Sequence, residues 1–153
     1  MKIKKENIII LSRNQIEELA LSPFPLNTAL ISVRDTGDDA PELKYKPLWL
    51  LQLVFDDISS DELEDYKEQE YTLFNEQTAQ QIADFIICYK DKAETIICQC
   101  EYGQSRSAAI AAAHSEFFWK SGIDIFADDR YFPNKLVFRL TLQALNERGQ
   151  DYA

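Results

Sequence analysis

The segment Ile96-Ile97-Cys98-Gln99-Cys100-Glu101-Tyr102-Gly103-Gln104-Ser105-Arg106-Ser107 holds the residues best suited to chemistry. Cys100 and Arg106 stand six positions apart, with Gly103 midway and a serine on either side of the arginine. An apolar strand ending at Cys100 would carry its thiol to the edge of a sheet. The next five residues, Glu101, Tyr102, Gly103, Gln104 and Ser105, would then turn around an anion. A helix starting near Ser105 adds free backbone N–H groups and the positive end of its dipole. Gly103 lets the backbone take φ > 0 and come close to the anion. Arg106, in the first helical turn, can fork onto two oxygens of a phosphate. The same positive setting favours thiolate over thiol, which makes Cys100 a candidate nucleophile.

The elements needed to position this loop are legible around it. Ile8-Ile9-Ile10-Leu11 reads as a short buried strand, with Ser12 or Asn14 starting a helix through Ile16 and Leu19. Thr28 to Val33 and Trp49 to Phe55 are further apolar runs, the second stopping at Asp56-Asp57. The acidic stretch 57–70 reads as a solvated loop or short helix. From Asn75 the period becomes helical, with Ala79, Ile82, Ala83 and Ile86 on one stripe. Thr95 to Cys98 is the fourth strand. A helix from about Ser105 to Lys120 follows, with Gly122 expected to end it, and Asn134 is suited to cap a last helix whose Val137, Leu140 and Ala144 face inward. Strands alternating with helices predict an α/β fold built on a mostly parallel sheet flanked by helices. The expected organisation is a single domain over residues 1–153, with its core at about 8–147.

The loop resembles the signature of the cysteine-dependent protein tyrosine phosphatases, and its Arg106-Ser107 ending looks most like the dual-specificity branch. The resemblance extends to Trp49–Asp57 as the strand and acid loop, and to Asn75–Tyr89 as the helix before the nucleophile strand. Tyr131-Phe132-Pro133-Asn134, with Val137 and Leu140, looks like the closing segment of small bacterial and phage members. It implies a phosphotyrosine-phosphatase-like fold and phosphate-ester hydrolysis through a phosphocysteine, with no metal or other cofactor. Cys100 would be the nucleophile and Arg106 the oxyanion clamp. Ser107 would help the thiolate leave, and residues 101 to 106 would bind phosphate. The resemblance puts the general acid at Asp56-Asp57. Asp57 is preferred because it lies further beyond Phe55, with Asp56 the alternative and Asp61 and Asp65 behind them. Substrates would be phosphorylated proteins, on tyrosine or on serine and threonine, or small phosphoesters. One departure is Gln99, where the family usually has His; its amide can donate a hydrogen bond but carries no charge.

Composition narrows the alternatives. The chain has 153 residues and, with 16 Lys+Arg against 26 Asp+Glu, a net charge of −10, which disfavours nucleic acid and anionic membranes as partners. Highly anionic inositol phosphates are disfavoured for the same reason, sharpened by Glu101 beside the nucleophile. A cytoplasmic protein, with a monomer favoured, is the expectation. Three cysteines do not make a disulfide framework, and Cys98 and Cys100 are too close for a CxxC site. Cys88 is expected to be inert core, and His114, within the helix after the loop, a satisfied or exposed histidine. Two rival readings stay open: a rhodanese-like sulfur transferase or arsenate reductase, which needs no acid loop, and a phospho-ligand-binding module with little catalysis, which Gln99 motivates.

Overall fold

The computed structural model describes residues 2–59 and 71–151. Four strands are present, β1 (Ile8–Leu11), β2 (Thr28–Arg34), β3 (Trp49–Val54) and β4 (Thr95–Gln99). They form one sheet in the order β1-β4-β2-β3, with every pair parallel. The helices are α1 (Arg13–Leu19), α2 (Glu76–Tyr89), α3 (Arg106–Trp119), α4 (Ile123–Phe126) and α5 (Lys135–Asp151), and a 3-10 turn at Lys5–Asn7 precedes β1. No helix of the described residues is long and apolar enough to cross a membrane.

Alternation along the strands divides the interior in two. Ala29, Ile31 and Val33 of β2 and Ile96 and Cys98 of β4 enter the main core, which also takes Ile82, Ile86, Ile110, Val137 and Leu145 from the helices. Leu30 and Ile97 point to the opposite face, where Ile16 of α1 covers them. Each fully buried Ile or Leu contributes about 1.5–3 kcal/mol. This two-sided burial is why the strands read as continuous apolar runs and not as alternating ones.

Local chemistry sets the helix ends. Ser12 caps α1, its side chain accepting from Gln15 N while the Gln15 side chain accepts from Ser12 N, a complete capping box. Asn75 caps α2 through Thr78 N. The expected stop at Gly122 is not where α3 ends. Lys120 closes it with φ of 54°, and Gly122 instead starts α4, where a Cβ would sit 2.7 Å from Ala112 O and 2.9 Å from Glu116 Cβ. Close packing, rather than a helix stop, requires that glycine.

The expectations for two side chains are corrected. Cys88 lies on an exposed face of α2, because the stripe formed by Ala79, Ile82, Ala83 and Ile86 takes the inward positions. His114 is neither exposed nor satisfied. It is fully buried in α3, with no hydrogen-bond partner for either ring nitrogen among the described residues, against the rings of Phe118 at 4.6 Å and Trp119 at 5.5 Å. Burial pushes its pKa down to about 3.

A histidine whose folded pKa is depressed contributes stability that is fully present above its unfolded pKa, and loses it as pH falls toward the folded value. The window is therefore from about 6.5 down to about 3. His114→Leu removes this titration, so at pH 5 the native protein should lose about 2 kcal/mol more, relative to pH 7, than the variant does. Urea midpoints measured from pH 7 to pH 4 check it. Parallel losses in the two proteins would mean that His114 is not held neutral by the fold.

Candidate active site

Because all four strands are parallel, their carboxyl ends meet along one edge of the sheet, where open α/β sheets collect their functional loops. β4 sits between β1 and β2 and delivers Cys100 to the middle of that edge. Ser12 follows β1, Asp35 follows β2, and Phe55-Asp56-Asp57 follow β3.

The loop from Cys100 to Arg106 is braced from both sides. Cys100 N donates to Leu11 O, and Arg13 N donates to Glu101 O at 3.1 Å. On the other side Phe132 N donates to Gln104 O at 2.8 Å, and Asn134 N to Ser105 O at 3.2 Å. Gly103 has φ of 66°, and a Cβ there would lie 2.6 Å from Ser12 N and 2.7 Å from Leu11 C. The turn therefore needs glycine both for its backbone conformation and for its approach to the end of β1. Tyr102 is 78% exposed, so its side chain stands at the rim.

Cys100 is buried, and its Sγ lies 3.0 Å from Ser107 Oγ and 3.4 Å from Ser107 N. Both groups can donate to an ionised sulfur, at the N-terminal end of a 14-residue helix. Cys98, two residues earlier, is different in kind. Burial, with the neighbouring Cys100 adding to it, raises its thiol pKa to about 12, so it stays protonated. Gln99 is buried between strands, accepting from the Ser32 hydroxyl and donating from Nε2 to Cys100 O at 3.0 Å. Its amide thus fixes the backbone carbonyl of Cys100.

Arg106 is only 3% exposed. Its Nη1 donates to Asp35 Oδ1 at 2.6 Å and to Phe55 O at 2.8 Å, which ties the guanidinium to the ends of β2 and β3. Its Nε–H is buried with no acceptor among the described residues. An unsatisfied buried donor on a charged group is costly, and an oxyanion in the loop would relieve that cost.

The two adjacent aspartates have different surroundings. Asp56 accepts from Thr36 N, from the Thr36 hydroxyl at 2.6 Å and from Thr72 N at 2.7 Å. Partial burial works to raise its pKa, but the Thr36 and Thr72 hydrogen bonds and the Arg106 charge outweigh it and hold the carboxyl below its usual range. Asp57 is exposed and turns toward the loop. Its Oδ1 accepts from Ser105 Oγ at 2.8 Å and from Asn134 Nδ2 at 2.8 Å. Ser105, at the helix N-cap, makes no side-chain cap bond, because its hydroxyl is engaged by Asp57.

The structure thus brings together Cys100, Arg106, Ser107, Ser105 and Asp57 and leaves Asp56 in a separate network. Asp61 and Asp65 lie outside the described residues. Asp35 and Ser32 do not stand out in the sequence, and Asn134 does so only as a helix cap. The one available signal for Asp35 is its place just past an apolar run, after Arg34, as Asp56 comes just past another after Phe55. Among the described residues, Asp35, Asp38 and Glu101 bring carboxylate oxygens within 4.8 Å of one another, near enough to hold a cation. Asp35 already neutralises Arg106, and the trio forms an acidic rim.

Over its whole length the chain is similar to solved structures at low sequence identity. Human DUSP28 aligns with a TM-score of 0.59 and 16% identity over 96% of each chain. PTPMT1 in complex with PI(5)P aligns with a TM-score of 0.57 and 13% identity, over 100% of this chain and 98% of that one. Tk-PTP in the active form aligns with a TM-score of 0.54 and 11% identity, over 93% and 92%. The fold is that of the cysteine-dependent tyrosine and dual-specificity phosphatases. No protein-family model matches the sequence, and no curated protein does. The all-parallel four-stranded sheet flanked by helices matches the fold of these structures.

Gly103→Ala should both strain the loop and push it off Leu11–Ser12. The expected result is a stability loss of about 1–3 kcal/mol and vanadate binding weakened at least roughly tenfold. Thermal unfolding and vanadate titration measure the two effects. A variant with unchanged vanadate affinity would separate the Gly103 turn from anion binding.

Proposed function

We propose that the protein is a metal-independent phosphate monoester hydrolase acting through a phosphocysteine, on phosphotyrosine or phosphoserine/threonine of protein substrates. The observation that carries this reading is the bond from Ser105 in the thiol loop to Asp57, across 48 positions of sequence, beside a buried arginine with a free Nε–H. An anion loop alone would suit sulfur transfer or simple binding. A carboxyl group held against it supports ester cleavage, because an alkoxide or phenoxide leaving group needs a proton.

In the first step the Cys100 thiolate attacks phosphorus, the bond from phosphorus to the ester oxygen breaks, and Asp57 gives its proton to the departing oxygen. The loop N–H groups and Arg106 hold the equatorial oxygens, with Nε–H joining the grip while Nη1 stays anchored on Asp35 and Phe55. In the second step water attacks the phosphocysteine and loses a proton to the Asp57 carboxylate. The S–P bond then breaks to give inorganic phosphate and the thiolate. The Ser107 hydroxyl, 3.0 Å from Sγ, stabilises the departing sulfur. Asp56 is the poorer acid, since hydrogen bonds and the Arg106 charge favour its ionised form.

The acidic rim bears on substrate class. Asp35, Asp38 and Glu101, on a chain of net charge −10, oppose ligands with several phosphates and leave single phosphoryl groups on proteins as the better match.

Cys100→Ser should abolish hydrolysis of p-nitrophenyl phosphate while keeping phosphate or vanadate affinity within about threefold, since the amide cradle and Arg106 are untouched. Steady-state turnover and calorimetric titration test both halves. Substantial turnover by the serine variant would remove the phosphocysteine.

Asp57→Asn should slow hydrolysis of phosphotyrosine peptides by roughly 10²–10⁴-fold. It should cost far less on an aryl ester whose phenolate leaves readily. Asp56→Asn should lack this dependence on leaving group. If the pattern appears in Asp56→Asn instead, the acid has been misassigned. If it appears in neither, sulfur transfer or plain anion binding becomes the better account of Cys100 and Arg106.

A further inference from the structure

Asn134 uses nearly every polar atom it has, and it joins three parts of the site. The residue is only 7% exposed. Its Nδ2 donates to Asp57 Oδ1 at 2.8 Å and to Ile58 O at 3.1 Å, across 77 and 76 positions of sequence. Its Oδ1 accepts from Val137 N at 3.1 Å and its backbone oxygen from Phe138 N at 3.0 Å, which starts α5. Its backbone N–H donates to Ser105 O in the thiol loop. The acid segment, the anion loop and α5 therefore meet at one buried residue, the loop through its backbone N–H and the other two through its side chain.

The distribution of donors on Asp57 is uneven. Ser105 Oγ and Asn134 Nδ2 both donate to Oδ1, and no protein donor to Oδ2 is seen among the described residues. A protonated carboxyl group with two donors on one oxygen carries its hydrogen on the other. We propose, resting on Asp57 as the general acid, that Asn134 is a positioning residue that holds Oδ1 and so presents the proton on Oδ2 to the leaving oxygen. The arrangement favours the reaction as well as the geometry. When the O–H bond of Asp57 breaks and the ester oxygen takes the proton, the carboxyl group gains a negative charge. The donors on Oδ1 then become charge-assisted hydrogen bonds, stronger than those made to the neutral acid. Their strengthening follows proton transfer and so belongs to the transition state rather than to substrate binding. The same fixed Oδ1 leaves Oδ2 to accept a proton from water in the second step.

Asn134→Ser separates this role from the helix cap, because serine is a good N-cap but its shorter side chain does not reach Asp57. The variant should fold, with vanadate affinity within about twofold of the parent, and lose about ten- to hundredfold in kcat/KM on phenyl phosphate, a part of the roughly 10²–10⁴-fold that a general acid supplies. On an ester with a readily leaving phenolate the loss should be below about threefold, so that the rate depends more steeply on leaving-group basicity. In the Asp57→Asn background the same change should cost almost nothing further, since the two act through one proton. Equal losses on all esters, or a full additional loss in the double variant, would assign Asn134 to structure alone and overturn the proposal. A leaving-group effect in Asp57→Asn without one in Asn134→Ser would overturn it too, while keeping Asp57 as the acid. If Asp57→Asn itself lacks the effect, the acid assignment fails and takes this proposal with it.

Discussion

Arg106 brings a full positive charge to a position where 3% of the residue is exposed, and much of the surrounding structure answers to that charge. Taking an ion out of water costs several kcal/mol unless it is paired and hydrogen-bonded. Asp35 supplies the opposite charge and Phe55 O a second acceptor, and they come from the ends of two different strands. A guanidinium fixed by one nitrogen keeps its plane fixed, so the remaining edge is pre-aimed. The incomplete satisfaction of that edge is as informative as the pairing. A purely structural buried arginine would be expected to have partners for all its donors, whereas here Nε–H has none among the described residues. The strand ends are thus held in register by a group that keeps one buried donor available to a ligand.

From that anchor, the contrast between Asp56 and Asp57 follows from strand geometry. Successive residues leaving β3 point to opposite sides, so one carboxylate meets Thr36 and Thr72 while the next meets Ser105 and Asn134. Asp56 closes the edge structurally, and its lowered pKa is a consequence of that work. Asp57, in contact with the loop, has one oxygen without a donor among the described residues. Two chemically identical side chains acquire different uses from one step along the chain.

Much of this was legible before any coordinates. The four apolar runs became the four strands, and their two-sided burial explains why the runs were continuous. The anion loop was legible because a turn that wraps an oxyanion needs its glycine, arginine and serines close together in sequence. What escaped depends on contacts far apart in the chain. Asp57 and Asn134 are 77 residues apart and Ser32 and Gln99 are 67 apart, and no periodicity links them. Asn134 looked like a helix cap, and it is one, but the cap uses its oxygen and leaves the amide nitrogen for Asp57. Gly122 was misread because a glycine near a helix end has two physical uses, and here close packing against Ala112 and Glu116 decided it. His114 escaped because an Ala-rich helix gives no hint of which face is buried when all faces are.

Gln99 bears on the charge around Cys100 as well. A histidine in this position would add a titratable group beneath the thiol, whereas a glutamine gives the same hydrogen bond to Cys100 O without the charge. What surrounds Sγ directly is the Ser107 hydroxyl, the Ser107 N–H and the start of α3. None of these groups titrates near neutral pH, so the electrostatic setting of Cys100 stays constant across the range in which a histidine would change its charge. The chain has one histidine, and the fold holds it neutral inside α3. The positive groups beside the loop are therefore permanent ones, a helix dipole and a guanidinium, set by the backbone and by Arg106 rather than by protonation.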